Sequence, residues 1–202
     1  MKKYILLVLG LIQLSFTVAQ NQNTSIFKQQ WAWLGLDYSQ VKLIGAEGFS
    51  DIPKIKEYYF DKWNSLMATE SSKYNIPKNM RLRSVNHYPS FFEMRNASTK
   101  LEGILVKERV HLSISEIEKI TETYNFEGIE EDIALILIVE SLNKRNNYGS
   151  YWATVVNTNT NKIIFTERMT GIPNGFGFRN YWAGSIYNVM KQFRLKKWHK
   201  KY

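Results

Sequence analysis

The sequence predicts an α+β domain: a mixed, mainly antiparallel sheet with about three helices packed on it. Three stretches carry that reading. Ile133 to Val139, within "DIALILIVESL", is a near-continuous apolar run flanked by charge, short and branched enough for a strand buried on both faces. "YWATVVN" and "KIIFTERM" enclose the polar "TNTN", so Tyr151 to Arg168 reads as an antiparallel hairpin. Beyond it Trp182, Ile186, Val189, Met190 and Phe193 fall on one side of a closing helix that Asn180 can cap.

From the amino terminus, Met1, Lys2 and Lys3 precede an apolar run from Tyr4 to Leu14 and then "SFTVAQ". Thr17 and Ala19 supply the small residues of a cleavage site, so 1–19 reads as a secretory signal peptide. Its apolar run is too short for a stable anchor, and no later stretch reaches the roughly 20 apolar residues a membrane-spanning helix needs. Cleavage would leave 183 of the 202 residues and, with Lys2 and Lys3 gone, a formal charge of +7 in place of +9. That length suits one domain with a sizeable core. The expected organisation is a signal peptide at 1–19, a flexible lead-in at 20–30, one domain at 31–195 and a basic tail at 196–202. The chain has no cysteine, which leaves no disulfide and no acylated lipoprotein cysteine. A periplasmic or secreted bacterial protein, monomeric or weakly dimeric, is the expectation. Glycosylation sequons at Asn23 and Asn96 matter only in a eukaryotic secretory pathway.

Between these ends the pattern alternates strands and helices. Val41 and Leu43 alternate with Lys42 as a strand does, bounded by Gly45 and Gly48. Ser50 or Asp51 can cap the next helix, Pro53 suits its first turn, and Ile55, Tyr58, Tyr59, Trp63, Leu66 and Met67 form its apolar stripe. Arg81 to Val85 alternates as a short strand, Pro89 marks a turn, and "GILVKERVHLS" is another extended piece. Ser113 and Glu116 form a capping box opening a helix to about Tyr124, with Ile114, Ile117 and Ile120 facing the core.

The segments "IVESLNK", "YWATVVNTNTNKIIFTERMTG" and "GFGFRNYWAGSIYNVMK" resemble a family of small exported proteins of unknown function from Bacteroidetes-type bacteria. The match runs from about Ile133 to Lys191, with a weaker echo in "YSQVKLIG" and "YYFDKWNSLM". Its signature, Gly175 to Gly184 here, carries no assigned chemistry. More distantly, the order of elements is similar to envelope domains such as the TolB amino-terminal domain and the curli-secretion lipoprotein. That likeness concerns the fold alone.

Chemistry-bearing motifs are few. No P-loop or dinucleotide fingerprint is present, His87, His111 and His199 are scattered, and no clustered metal-ligand spacing exists, so neither metal nor cofactor is expected. Glu140 with Ser141, or Asp61, could enter a site only by folding. The glycine-rich "GIPNGFGFRN" is the most unusual stretch. Gly175, Gly177, Arg179 and Asn180 could cradle an anion at a helix start, with Arg179 partnered either by a ligand or by Glu140 or Glu167. The plainer reading is a tight corner, with Gly177 making a turn, Phe176 and Phe178 plugging the core, and Ala183, Gly184 and Ser185 letting the helix lie close to the sheet. The tail groups Lys196, Lys197, Lys200 and Lys201 around Trp198, either as a solvated end or as a contact for an anionic membrane surface. Trp31 and Trp33 could line a sugar or peptide groove or belong to the core. The basic balance points to an anionic envelope component, lipid headgroups or an acidic envelope protein rather than nucleic acid, or serves solubility alone. The function expected is a non-catalytic envelope accessory or binding protein; the alternative is a hydrolase of an envelope polymer.

Overall fold

A computed structural model describes residues 25–202; the expected signal peptide and residues 20–24 of the lead-in lie outside the described residues. Seven strands form one sheet: β1 (Trp31–Asp37), β2 (Lys42–Ile44), β3 (Val85–His87), β4 (Leu105–Val106), β5 (Ile133–Asn143), β6 (Tyr148–Asn157) and β7 (Lys162–Gly171). The helices are α1 (Ile52–Lys54), α2 (Phe60–Thr69), α3 (Ile76–Met80), α4 (Glu93–Ala97), α5 (Ile114–Glu122) and α6 (Gly177–Lys196). A π-helical segment, Ile55–Tyr59, joins α1 to α2.

The organising strand is β5, buried along its whole length, as its unbroken apolar run predicts. One edge carries β1 against Ala134–Ile138 and then β2 against Ser141–Asn143, both parallel and laid end to end. β3 and β4 extend this side, parallel to β1 and β2. On the other edge β6 and β7 add the antiparallel hairpin across the Thr158–Asn161 turn. Four of the six pairings are thus parallel, which corrects the expected mainly antiparallel α+β sheet; the architecture is α/β. A hairpin announces itself through adjacent segments. A parallel pair needs a crossover, so its two strands lie far apart in sequence and no local pattern joins them.

The sheet buries both faces. On the larger, Trp31, Trp33, Leu135, Leu137 and Val139 pack against side chains of α2 and α6, among them Trp63 and Trp182. On the smaller, Ala32, Leu34, Ala134, Ile136 and Ile138 meet Phe92 and Ile117 and Ile120 of α5. Trp31 and Trp33 are therefore core residues rather than the walls of a groove. Residues 26–28, read as lead-in, form a 3-10 turn that buries Phe27 and accepts the Trp31 indole N–H on the Ile26 carbonyl at 2.8 Å.

Local signals account for the helix ends. The Asp51 side chain accepts the Lys54 N–H at 3.1 Å, with Pro53 in the first turn. The π-helical segment then inserts extra residue width, so the stripe rotates: Tyr58 is left exposed and Phe60 is fully buried in its stead. Ser113 and Glu116 close a reciprocal capping box on α5. Ile117 and Ile120 face the sheet, but Ile114, the first helical residue, is exposed. The strand expected over Arg81 to Val85 starts only at Val85, because Arg81 is the left-handed residue that ends α3.

Candidate functional site

The glycine-rich stretch forms the corner between β7 and α6. A Cβ on Gly171 would stand 1.9 Å from the Ser185 carbonyl oxygen, and one on Gly184 would stand 2.1 Å from that of Asn174. Only hydrogen fits in either place, so these two positions let helix, strand and loop meet backbone to backbone. The Asn174 N–H, donating to the Tyr181 carbonyl at 3.1 Å, ties the loop to the helix. Helix α6 starts earlier than Asn180: Phe176 is the N-cap, and Gly175 (φ +125°) and Gly177 (φ +80°) turn the chain on either side of it. Asn180 sits instead in the first turn, where its Oδ1 accepts from Arg179 Nε at 3.2 Å.

Only one of the two phenylalanines plugs the core. Phe178 packs on Tyr59 and Trp63, with ring centroids 4.8 and 6.0 Å away, whereas Phe176 is 97% exposed. Arg179 holds the corner through its main chain, its carbonyl accepting the Trp63 indole N–H at 2.8 Å, while its side chain is exposed. Neither carboxylate expected beside it is there. Glu140 pairs with Arg168, and Glu167 accepts from Lys196 and, at 2.9 Å, from Trp198 Nε1. The corner opens on a depression of about 500 Å³ lined by Ile172, Gly175, Phe176, Arg179, Asn180 and Lys191, and also by Glu70 and Lys73. Gly177 supplies the turn into the helix rather than a wall of that depression.

The basic end of the chain folds back. Lys197 adopts a left-handed conformation (φ 55°), and a 3-10 turn, Trp198–Lys200, brings Trp198 against Phe165 and Phe193 at 5.0 and 5.3 Å. The Trp198 indole is buried and not available to a bilayer, whereas Lys197, Lys200 and Lys201 are exposed.

Two fully buried carboxylates, on the smaller face, draw in residues the sequence pattern did not group. Asp37, ending β1, accepts from the Ser39 N–H at 2.8 Å, Arg95 Nε at 3.0 Å and the Tyr124 hydroxyl at 2.6 Å. Burial, and then the charge of Asp37, push the Tyr124 phenol well above its ordinary range. An open cleft of about 480 Å³, lined by Ser39, Lys42, Arg95, Thr99 and Lys100, lies beside this pair where β1 gives way to β2. Glu140 is bound by the Leu112 N–H (2.9 Å), Ser150 Oγ (2.7 Å), Trp152 Nε1 (3.2 Å) and Arg168. Burial would raise its pKa, but the Arg168, Ser150 and Leu112 donors outweigh it and hold the carboxyl below its ordinary value. A carboxylate so surrounded is a charged anchor for β5, β6 and β7, not a proton donor. The one clue in sequence was a charge closing each apolar run, Asp37 after "WAWLGL" and Glu140 after "IALILIV".

The histidines stay apart: burial lowers the pKa of His87, and His199 lies 2.9 Å from Arg81. Among the described residues no three His, Asp or Glu side chains converge as a metal ion would require, and no helix is long and apolar enough to cross a membrane.

No protein-family description and no curated protein matches the chain, so the resemblance read at Gly175 to Gly184 gains no counterpart there. Three solved structures align weakly with the chain. The LpoB C-terminal domain from Salmonella enterica aligns at 11% identity and TM-score 0.32, over 70% of this chain and 81% of that one. Lipoprotein GNA1162 from Neisseria meningitidis gives 11% and 0.32, over 74% and 83%. The hypothetical protein CT253 from Chlamydia trachomatis gives 12% and 0.30, over 86% and 93%. Similarity at this level brings neither chemistry nor a partner to this chain.

Proposed function

We propose that the chain is an exported, non-catalytic accessory or binding protein of the cell envelope, engaging an anionic envelope component or envelope protein through the α6 corner. The observation that carries this reading is where the charges stand. Asp37 and Glu140, fully buried, are saturated by donors: Arg95 ties Asp37 to α4, and Ser150, Trp152 and Arg168 tie Glu140 to β6 and β7. The unspent chemistry, a bare aromatic ring beside Arg179 and Lys191, lies on the surface of the corner. A hydrolase would instead need a carboxyl or imidazole poised near neutrality and aimed into a cleft.

The test is retention of the mature chain, 20–202, on the washed envelope of its own cells. Saturable retention with no sugar or lipid product released over time is the expected result. Absence of retention, or product accumulating with time, removes the binding reading, and the second outcome installs the hydrolase. Arg179→Ala against Lys200→Glu/Lys201→Glu separates the corner from the exposed tail lysines as the contact.

A further inference from the structure

We infer that the α6 corner meets a lipid surface, with Phe176 and Ile172 entering the interfacial layer of an anionic bilayer while Arg179 and Lys191 meet its headgroups. The inference rests on the envelope reading above and adds the chemistry of the ligand. Phe176 is 97% exposed and Ile172 66%, whereas every other phenylalanine among the described residues stacks in the core or against it. Phe176 is not a loose end. Gly175 and Gly177, both at positive φ, bend the chain on each side of it, and the loop beneath is fastened by the Asn174 to Tyr181 bond and the Gly184 contact. The ring is thus held out from the body on a built turn.

Charge around it favours an anionic surface. Lys73 is cancelled by Glu70 at 3.3 Å, but among the described residues neither Arg179 nor Lys191 has a carboxylate within ion-pair distance. Two apolar side chains supply far less than the roughly 800 Å² per partner that a stable protein interface buries. A bilayer asks for less: a short apolar wedge with cations at headgroup level suffices for reversible interfacial binding.

The experiment is flotation of the mature chain with vesicles of phosphatidylcholine alone and of an equimolar phosphatidylcholine and phosphatidylglycerol mixture. Binding to the anionic vesicles only is expected. Phe176→Ser should lower the partition coefficient about tenfold, since the ring contributes its full transfer from water. Arg179→Gln and Lys191→Gln should lower it about fivefold each. Phe176→Trp should bind as wild type does, with its added emission shifting to the blue on anionic vesicles alone. Wild-type flotation that Phe176→Ser leaves unchanged, a signal lost only in Lys200→Glu/Lys201→Glu, or no flotation at all would overturn the inference. Should the chain still be retained on native envelope in that case, the binding reading survives and only its lipid contact falls.

Discussion

On one face of β5, Leu135, Leu137 and Val139 meet tryptophans and aliphatic side chains from α2 and α6; on the other, Ile136 and Ile138 give way to Glu140, ringed by four donors. The first face is closed by volume, the second by pairing. Volume tolerates any side chain of similar size and shape. Pairing tolerates loss of both partners far better than loss of one, because a lone buried charge keeps its desolvation penalty. The polar side chains that look most like a catalytic set are, on this comparison, the fasteners of the smaller face.

The largest effect should come from breaking the volume-closed face. Trp182→Ala empties the centre of the α6 contact and should cost about 3–5 kcal/mol, read as a shift in the urea midpoint. Breaking the paired face from one side comes next. Arg168→Met strands Glu140 and should cost about 2–4 kcal/mol, somewhat under a fully buried pair because Arg168 is 26% exposed. Glu140→Gln/Arg168→Met, which removes both charges but keeps an acceptor for the Leu112, Ser150 and Trp152 donors, should recover most of that loss; if the double variant is as unstable as the single, the pair is more than a fastener.

The same face sets an acid dependence. Glu140 is held below its ordinary value in the fold. Its contribution is therefore complete above the unfolded carboxyl value near ~4.3 and is lost as pH falls through the lower folded value. Urea titrations at descending pH should show wild type losing more stability than the double variant in that window, and equal losses would remove Glu140 from the acid response. The smallest effect tests the backbone approach of β7 to α6. Gly171→Ala drives a methyl into the Ser185 carbonyl and should cost about 1–3 kcal/mol.

The two faces also differ in what their residues disclosed in sequence. The stripe from Trp182 to Phe193, the β5 run and the Ser113 capping box are local patterns, and each forms its element where the pattern lies. The parallel pairings were hidden, since Trp31 lies opposite Val85 and Ala32 opposite Ala134 across long crossovers. The Asp37–Arg95 and Glu140–Arg168 pairs were hidden for the same reason. At the corner, the glycine spacing disclosed the close helix approach, but not the exposure of Phe176: a phenylalanine amid apolar neighbours reads as core. The paired turns at Gly175 and Gly177, both at positive φ, aim it at solvent.

Central to this account is that the interior charges hold the fold while the α6 corner does the binding. Hydrogen exchange of the mature chain, followed by mass spectrometry with and without its native envelope, tests this most directly. New protection is predicted over 171–181. Protection confined to the Asp37–Arg95 cleft, at 37–42 and 95–102, would contradict it.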